Sequence, residues 1–225
     1  MSKTIKVLII EDEPLIIDIY EQALRDVASK NDLLTFNIQS ATNCDHALIK
    51  IDKAQKNGGI DLVFLDVRVP KSLDNSILCG EDLGMKIKDI FKKAKILVST
   101  SYDDAFRIFS IMRNIDPDGF LVKRDLTVPG LINAIKKVVF EPPYYSRTVM
   151  KLMRKQSANN FVVDMIDRKM LYELSNGTKM NELPQVLPLS IAALERRKRI
   201  LKDVFNVGGK GDRDLLVSAR ERGFI

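Results

Sequence analysis

Over residues 1–140 the chain alternates short apolar runs with amphipathic stretches of helical period, five times without a break. "KVLII" (6–10), "TFNIQSA" (35–41), "IDLVFLD" (60–66), "KILVST" (95–100) and "GFLVK" (119–123) read as strands. Helical periodicity predicts helices over 14–30, with Pro14 in its first turn, over 44–57, ended by Gly58-Gly59, and over 80–94, 103–115 and 127–140. Strict alternation of this kind predicts an α/β unit: a doubly wound, five-stranded parallel sheet with helices on both faces. The third strand supports it. Ile60, Leu62, Val63, Phe64 and Leu65 run together without polar alternation, as a strand buried on both faces does.

That strand ends on Asp66, and a carboxylate is costly to bury unpaired. Taken alone, Asp66 is equally a helix cap or a turn residue. In a parallel sheet, however, all strands end at one edge, where ligands collect. Strand one ends in Glu11-Asp12, strand four in Thr100 and strand five in Lys123. Three carboxylates, a hydroxyl and an ammonium at one edge have no simple structural explanation. The acids suit Mg²⁺, a hard cation that takes oxygen ligands. Cation and lysine together would neutralise a phosphoryl group, leaving Asp66 free to act as a nucleophile that forms an aspartyl phosphate.

This constellation, over about residues 4–140, resembles the flavodoxin-like receiver domain of two-component response regulators. The resemblance implies that Asp66 is the phosphoacceptor. It implies that Asp12, Asp66 and the backbone carbonyl of Arg68 ligate Mg²⁺, with Glu11 supporting through water. Thr100 and Lys123 would contact the phosphoryl group, and Phe120 matches the family's switch aromatic, although plain core packing explains it as well. Two departures stand out. "KSLDNSILC" (71–79) lengthens the loop between Pro70 and Gly80, and Arg124 follows the lysine where the family often has proline, so a trans peptide is expected there.

The C-terminal part differs in charge. Residues 1–140 hold 20 Lys+Arg and 20 Asp+Glu, whereas 141–225 hold 16 and 10, so the net charge of +6 lies wholly in the second stretch. A solvated basic face explains such an excess, and so does a polyanionic partner. "EPPYYS" punctuates the chain, Ser146 is a cap for a helix over 147–156, and "SANN" (157–160) breaks it, which makes 141–160 a partly helical linker. From 161 onward four helices are readable: 164–176, 178–187, 190–205 and 212–222. Ser190 is an N-cap, Leu194, Leu201 and Phe205 form a buried stripe, and "ERRKR" packs four cations into the third helix.

A short helix, a turn and a basic amphipathic helix make a helix-turn-helix candidate, and the stretch resembles the DNA-binding domain of the NarL/LuxR class of response regulators. The resemblance implies a C-terminal all-α helix-turn-helix domain over 161–225. In it Glu195, Arg196 and Arg199 would face base edges, and Lys179, Ser190, Lys198 and Lys202 would meet phosphates of double-stranded DNA. Ala193-Leu194 and Arg197 depart from the family's usual threonine-valine and histidine, and Pro184 lies inside the second helix, where proline costs about 3 kcal/mol unless it falls in the first turn.

These residues imply a transcription regulator that a sensor histidine kinase phosphorylates and that dimerises when phosphorylated. Beyond its own phosphotransfer and slow dephosphorylation, no enzymatic activity is expected. An Mg²⁺-dependent phosphohydrolase with an aspartyl nucleophile is a second class, but such enzymes usually carry another acid where Arg68 stands. A third is a protein-interaction module with a degenerate helix-turn-helix, favoured by Pro184 and opposed by the charge asymmetry. One histidine, His46, excludes a multi-histidine metal site, and Cys44 and Cys79 read as reduced thiols. "IKVLII" stops at "EDE", too short for a signal core or a membrane span. A cytoplasmic protein without membrane contact is expected.

Overall fold

The computed structural model describes residues 3–31, 33–155 and 162–225. Residues 157–160, expected to break the linker helix, and Phe161, the expected start of the last domain, lie outside them. Two compact units divide the chain, Met1–Asp103 with Asn114–Gln156, and Asp104–Arg113 with Ser157–Ile225.

The first unit is an α/β sheet structure. Its strands are β1 (Lys3–Ile10), β2 (Leu34–Ala41), β3 (Leu62–Asp66), β4 (Lys95–Thr100), β5 (Gly119–Val122) and β6 (Tyr144–Tyr145), in the order β2-β1-β3-β4-β5-β6. Every neighbouring pair is parallel. Its helices are α1 (Pro14–Ser29), α2 (Cys44–Lys56), α3 (Gly80–Ile90), α5 (Val128–Phe140) and α6 (Arg147–Lys155), whereas α4 (Ala105–Ile115) belongs largely to the second unit. Alternate residues of the strands, Ile5, Val7, Ile9, Leu62, Phe64, Leu97 and Leu121, pack with α1 and α5. Leu8, Ile10, Val63, Leu65, Ile96 and Val98, which point the other way along the same strands, are equally buried, so the sheet is covered on both faces.

The sheet has six strands where five are expected. The sixth comes from the linker: Tyr144 donates its N–H to the Asp118 carbonyl at 3.1 Å and Ser146 donates its N–H to the Phe120 carbonyl at 2.9 Å. Two residues carry no periodicity of their own. They are recruited because the outer edge of β5 offers unpaired carbonyls. Helix α3 also stops at Ile90, four residues short of expectation, and 91–94 form a turn closed by Ala94 N–H on the Phe91 carbonyl.

In the second unit, α7 (Met165–Ser175), α8 (Ile191–Val204) and α9 (Asp212–Glu221) enclose Met170, Leu171, Leu183, Leu187, Leu194, Leu201, Phe205 and Leu215. The expected stripe of Leu194, Leu201 and Phe205 is buried. The helix expected over 178–187 is absent, and a single 3₁₀ turn, Leu183–Gln185, stands in its place. Pro184 has no N–H to donate and its ring clashes with the carbonyl four residues back, so an α-helix cannot run through it. Leu183 and Leu187 still reach the core from this turn. Elsewhere in the unit Arg107 lies over the Phe224 ring at 5.0 Å, and Arg222 over Phe205 at 5.4 Å.

Among the described residues no helix is long and apolar enough to cross a membrane.

Candidate functional site

The strand order places β1 between β2 and β3, so the order reverses at the β1/β3 boundary, the kind of edge where ligands collect in parallel sheets. Glu11 and Asp12 follow β1 and Asp66 closes β3. Glu11 is 0% exposed and Asp66 3%. What makes this burial tolerable is Lys123, the residue after β5. Its Nζ donates to Asp66 Oδ2 at 2.8 Å, to Glu11 Oε1 at 2.9 Å and to Glu13 Oε1 at 3.2 Å. The Arg68 N–H donates to the other Asp66 oxygen, Oδ1, at 2.9 Å.

One ammonium does not balance these acids. Burial, then the charge of Asp66, pushes the Glu11 carboxyl up to about 7. Burial also raises Asp66, against the opposing hydrogen bonds from Lys123 and Arg68. Burial works against the charge of Lys123, but its bonds to Asp66 and Glu11 win, and its pKa lies above the ordinary lysine value. Glu11 Oε2 is buried with no hydrogen-bond partner. Ligand oxygens of Glu11, Asp12 and Asp66 lie within 4.8 Å of one another. An orphaned buried oxygen in an all-carboxylate set fits a hard divalent cation such as Mg²⁺.

The other expected residues lie on or just after the neighbouring strands. Thr100 is buried at the end of β4, where its Oγ1 accepts the Tyr102 N–H at 3.1 Å. Phe120 is fully buried within β5. Arg68, which follows β3, keeps an exposed side chain, and the Lys123–Arg124 peptide is trans.

One contributor escapes motif reading. Glu13 joins the Lys123 cluster, its only signal being a third acid in "EDE". Gly80 ends the long 71–79 loop and donates its N–H to the Val67 carbonyl at 3.0 Å, and a Cβ there would stand 1.9 Å from the Asp66 carbonyl oxygen. The loop itself is braced by Ser72, whose Oγ donates to Asp74 Oδ1 at 2.6 Å and accepts the Ile77 N–H at 3.0 Å. Gly80→Ala is therefore expected to displace the backbone of Asp66, lowering stability by about 1–3 kcal/mol and impairing the pocket. Thermal melting and divalent-ion binding check this; a variant that matches the parent in both would refute the close approach.

In the second unit the candidate nucleic-acid residues divide. Glu195, Arg196 and Arg199 are exposed on α8, and Lys179 is exposed before the 3₁₀ turn. Ser190 caps α8, accepting the Ala193 N–H at 3.4 Å. Lys198 and Lys202 are half-buried and pair with Asp212 at the start of α9, at 2.9 and 2.7 Å. Lys202 also donates to the Lys210 carbonyl at 2.9 Å. Arg197, at the position where histidine is usual, turns inward to Asp164 and Asp167, each at 2.8 Å. Those two acids form the capping box of α7.

No family model and no curated protein sequence matches the chain. Solved structures do. RcsB from Salmonella enterica serovar Typhimurium, bound to promoter P1flhDC in the presence of the phosphomimetic BeF3−, is 18% identical, with a TM-score of 0.60 over 96% of this chain and 98% of its own. A structure of two RcsB dimers bound to two parallel DNAs is 17% identical, with a TM-score of 0.56 over 98% of this chain and 100% of its own. A two-component response regulator of the LuxR family from Aurantimonas sp. SI85-9A1 is 15% identical, with a TM-score of 0.52 over 68% of this chain and 97% of its own. The chain thus shares its fold with these response-regulator structures.

Proposed function

We propose that the chain is the response regulator of a two-component system, a cytoplasmic transcription regulator controlled by phosphorylation of Asp66. The observation that carries this is the Glu11–Asp66–Lys123 cluster, in which a buried carboxylate meets a lysine beside an orphaned acid oxygen. The sheet, with helices wound on both faces, supports the same reading, because it brings these groups to one edge.

An Asp66 oxygen attacks the phosphorus of a phosphohistidine on the sensor kinase; the P–O bond forms, the P–N bond breaks, and the imidazole leaves with the electron pair. Lys123 holds Asp66 in place and can follow the phosphoryl oxygens, while the Arg68 N–H fixes the carboxylate plane. Mg²⁺ held by Glu11, Asp12, Asp66 and the Arg68 carbonyl would supply positive charge against the phosphoryl oxygens. Thr100, whose hydroxyl is bonded locally to Tyr102, can turn to the phosphoryl group, and Phe120, buried within β5, serves as core and candidate switch. No catalytic activity beyond self-phosphorylation and slow hydrolysis is proposed.

Phosphorylation would favour a homodimer whose paired α8 helices enter the major groove of double-stranded DNA. The DNA-bound dimers among the structural relatives support this, as does the exposed Glu195, Arg196 and Arg199 set. Phosphate contact falls to Lys179, the Ser190 end of α8, and Lys198 and Lys202 if they exchange Asp212 for the backbone. A protein-binding module remains the second reading, because the scaffold helix is reduced to a 3₁₀ turn.

Selection of random DNA by the phosphorylated protein separates the two. Enrichment of a pseudo-palindrome is expected, and Arg199→Ala should lose about 10–100-fold in discrimination, the worth of one bidentate base contact of ~1–3 kcal/mol. Lys202→Ala, tested by salt titration, should lower the slope by at most about one. If no sequence is enriched and both variants behave as the parent, the interaction module replaces the DNA reading.

A further inference from the structure

The turn after Lys123 reaches beyond the acid cluster. Lys123–Asp125 form one 3₁₀ turn, closed by the Leu126 N–H on the Lys123 carbonyl at 3.1 Å. At its far end Asp125 accepts three hydrogen bonds from a segment more than twenty residues away: Ser146 Oγ at 2.7 Å, the Thr148 N–H at 2.8 Å and Thr148 Oγ1 at 3.0 Å. The Thr148 N–H is one of the first-turn donors that α6 cannot satisfy internally, so this helix is capped by a carboxylate from another part of the chain. Burial opposes the charge of Asp125, but the bonds from Ser146 and Thr148 prevail and hold the carboxyl below its ordinary value.

Two further contacts tie the same turn to its surroundings. Ser146 Oγ accepts the Val122 N–H at 3.3 Å, which joins the start of α6 to the last residue of β5. Arg124 pairs with Asp103, in the loop that follows Thr100, and its other nitrogen approaches Thr148 Oγ1 at 3.5 Å. One three-residue turn thus holds the lysine of the acid cluster, the loop after β4 and the N-terminus of the linker helix. A bonded turn of this length has little freedom to move one end without the other.

We infer that Asp125 is a positioning residue that couples the state of the Asp66 pocket to helix α6, the last described element before the helix-turn-helix segment. The inference rests on Asp66 being the phosphoacceptor. When Lys123 shifts toward a phosphoryl oxygen, Asp125 shifts with it, and the cap of α6 moves or loosens. The route uses no contact of Asp125 with the phosphoryl group itself, so chemistry at Asp66 and response at α6 are separable.

The test uses the full chain with acetyl phosphate, or with beryllofluoride and Mg²⁺, and reads two quantities: labelling of Asp66, and the gain in affinity for the selected DNA that occupancy of Asp66 produces. Asp125→Ala should label at the parental rate while its affinity gain falls about fivefold or more. Thr148→Val, which removes the hydroxyl and keeps the backbone N–H, should lose a smaller part. An undiminished gain in Asp125→Ala overturns the inference, and so does slowed labelling, which would place Asp125 in the pocket chemistry. If Asp125→Ala does not fold, Asp125→Asn and Thr148→Val carry the same comparison. If the parent itself takes no label, the phosphoacceptor reading fails first, and this inference with it.

Discussion

Replacing Asp66 with alanine is expected to abolish phosphoryl labelling by acetyl phosphate, while the parent takes a label that is stable in acid, lost in alkali and dependent on Mg²⁺. The expectation follows from where the pocket spends its charge. Lys123 contacts Asp66, Glu11 and Glu13, but Glu11 is buried deeper and Glu13 is exposed on the rim. Of the three, Asp66 alone has one oxygen on the lysine and the other on a backbone N–H, the arrangement that orients a carboxylate for in-line attack. Asp66 alone among them is held in this way, so the loss should be complete. Equal labelling of Asp66→Ala, or of the parent in EDTA, contradicts the assignment.

The second large effect concerns stability. Arg197→Ala removes a cation paired with Asp167, whose side chain is 3% exposed. Deleting one partner of a buried pair leaves the other charge desolvated, at a cost of about 3–5 kcal/mol. Because Arg197 is itself 32% exposed, about 2–4 kcal/mol is expected here. The pH dependence has a defined sign. Burial already raises the Asp167 carboxyl, with Arg197 opposing; without Arg197 it rises further. A carboxyl raised on folding destabilises above its folded pKa and ceases to do so once protonated. The deficit of Arg197→Ala should therefore be full at neutral pH and shrink as the pH falls toward the ordinary carboxylate range. Urea unfolding of the full chain, with hydrogen exchange reporting on α7, measures it. A deficit independent of pH would mean that packing of the arginine stem, and not the charge, is what matters.

Much of this protein is legible in its sequence. Five βα repeats demand a parallel sheet, and a parallel sheet brings the residues after every strand to one edge, so Glu11, Asp12, Asp66, Thr100 and Lys123 could be grouped from their positions alone. Caps were equally legible where the partner is local: Ser190 accepts an N–H three residues on. The buried stripe of α8 followed from helical spacing. What failed was the local element that a local rule forbade. Pro184 was visible, yet the helix drawn through it is a 3₁₀ turn.

Other features depend on partners far away in the chain. Tyr144–Tyr145 become a strand because β5 has a free edge. Gly80 is required because the loop returns onto the Asp66 carbonyl. Lys198 and Lys202 look like free cations on a basic helix until α9 brings Asp212 between them. Asp125 shows no sign of being a helix cap until residues 146–148 arrive beside it. Periodicity, caps and breakers act within about one helical turn or one strand pair, so the sequence alone determined the order of the five βα repeats and the edge where chemistry collects. Which charges remain available there, and which are spent on one another, only the tertiary structure decided, because the energy of a buried or half-buried charge depends on the few ångströms around it and not on its neighbours in the chain.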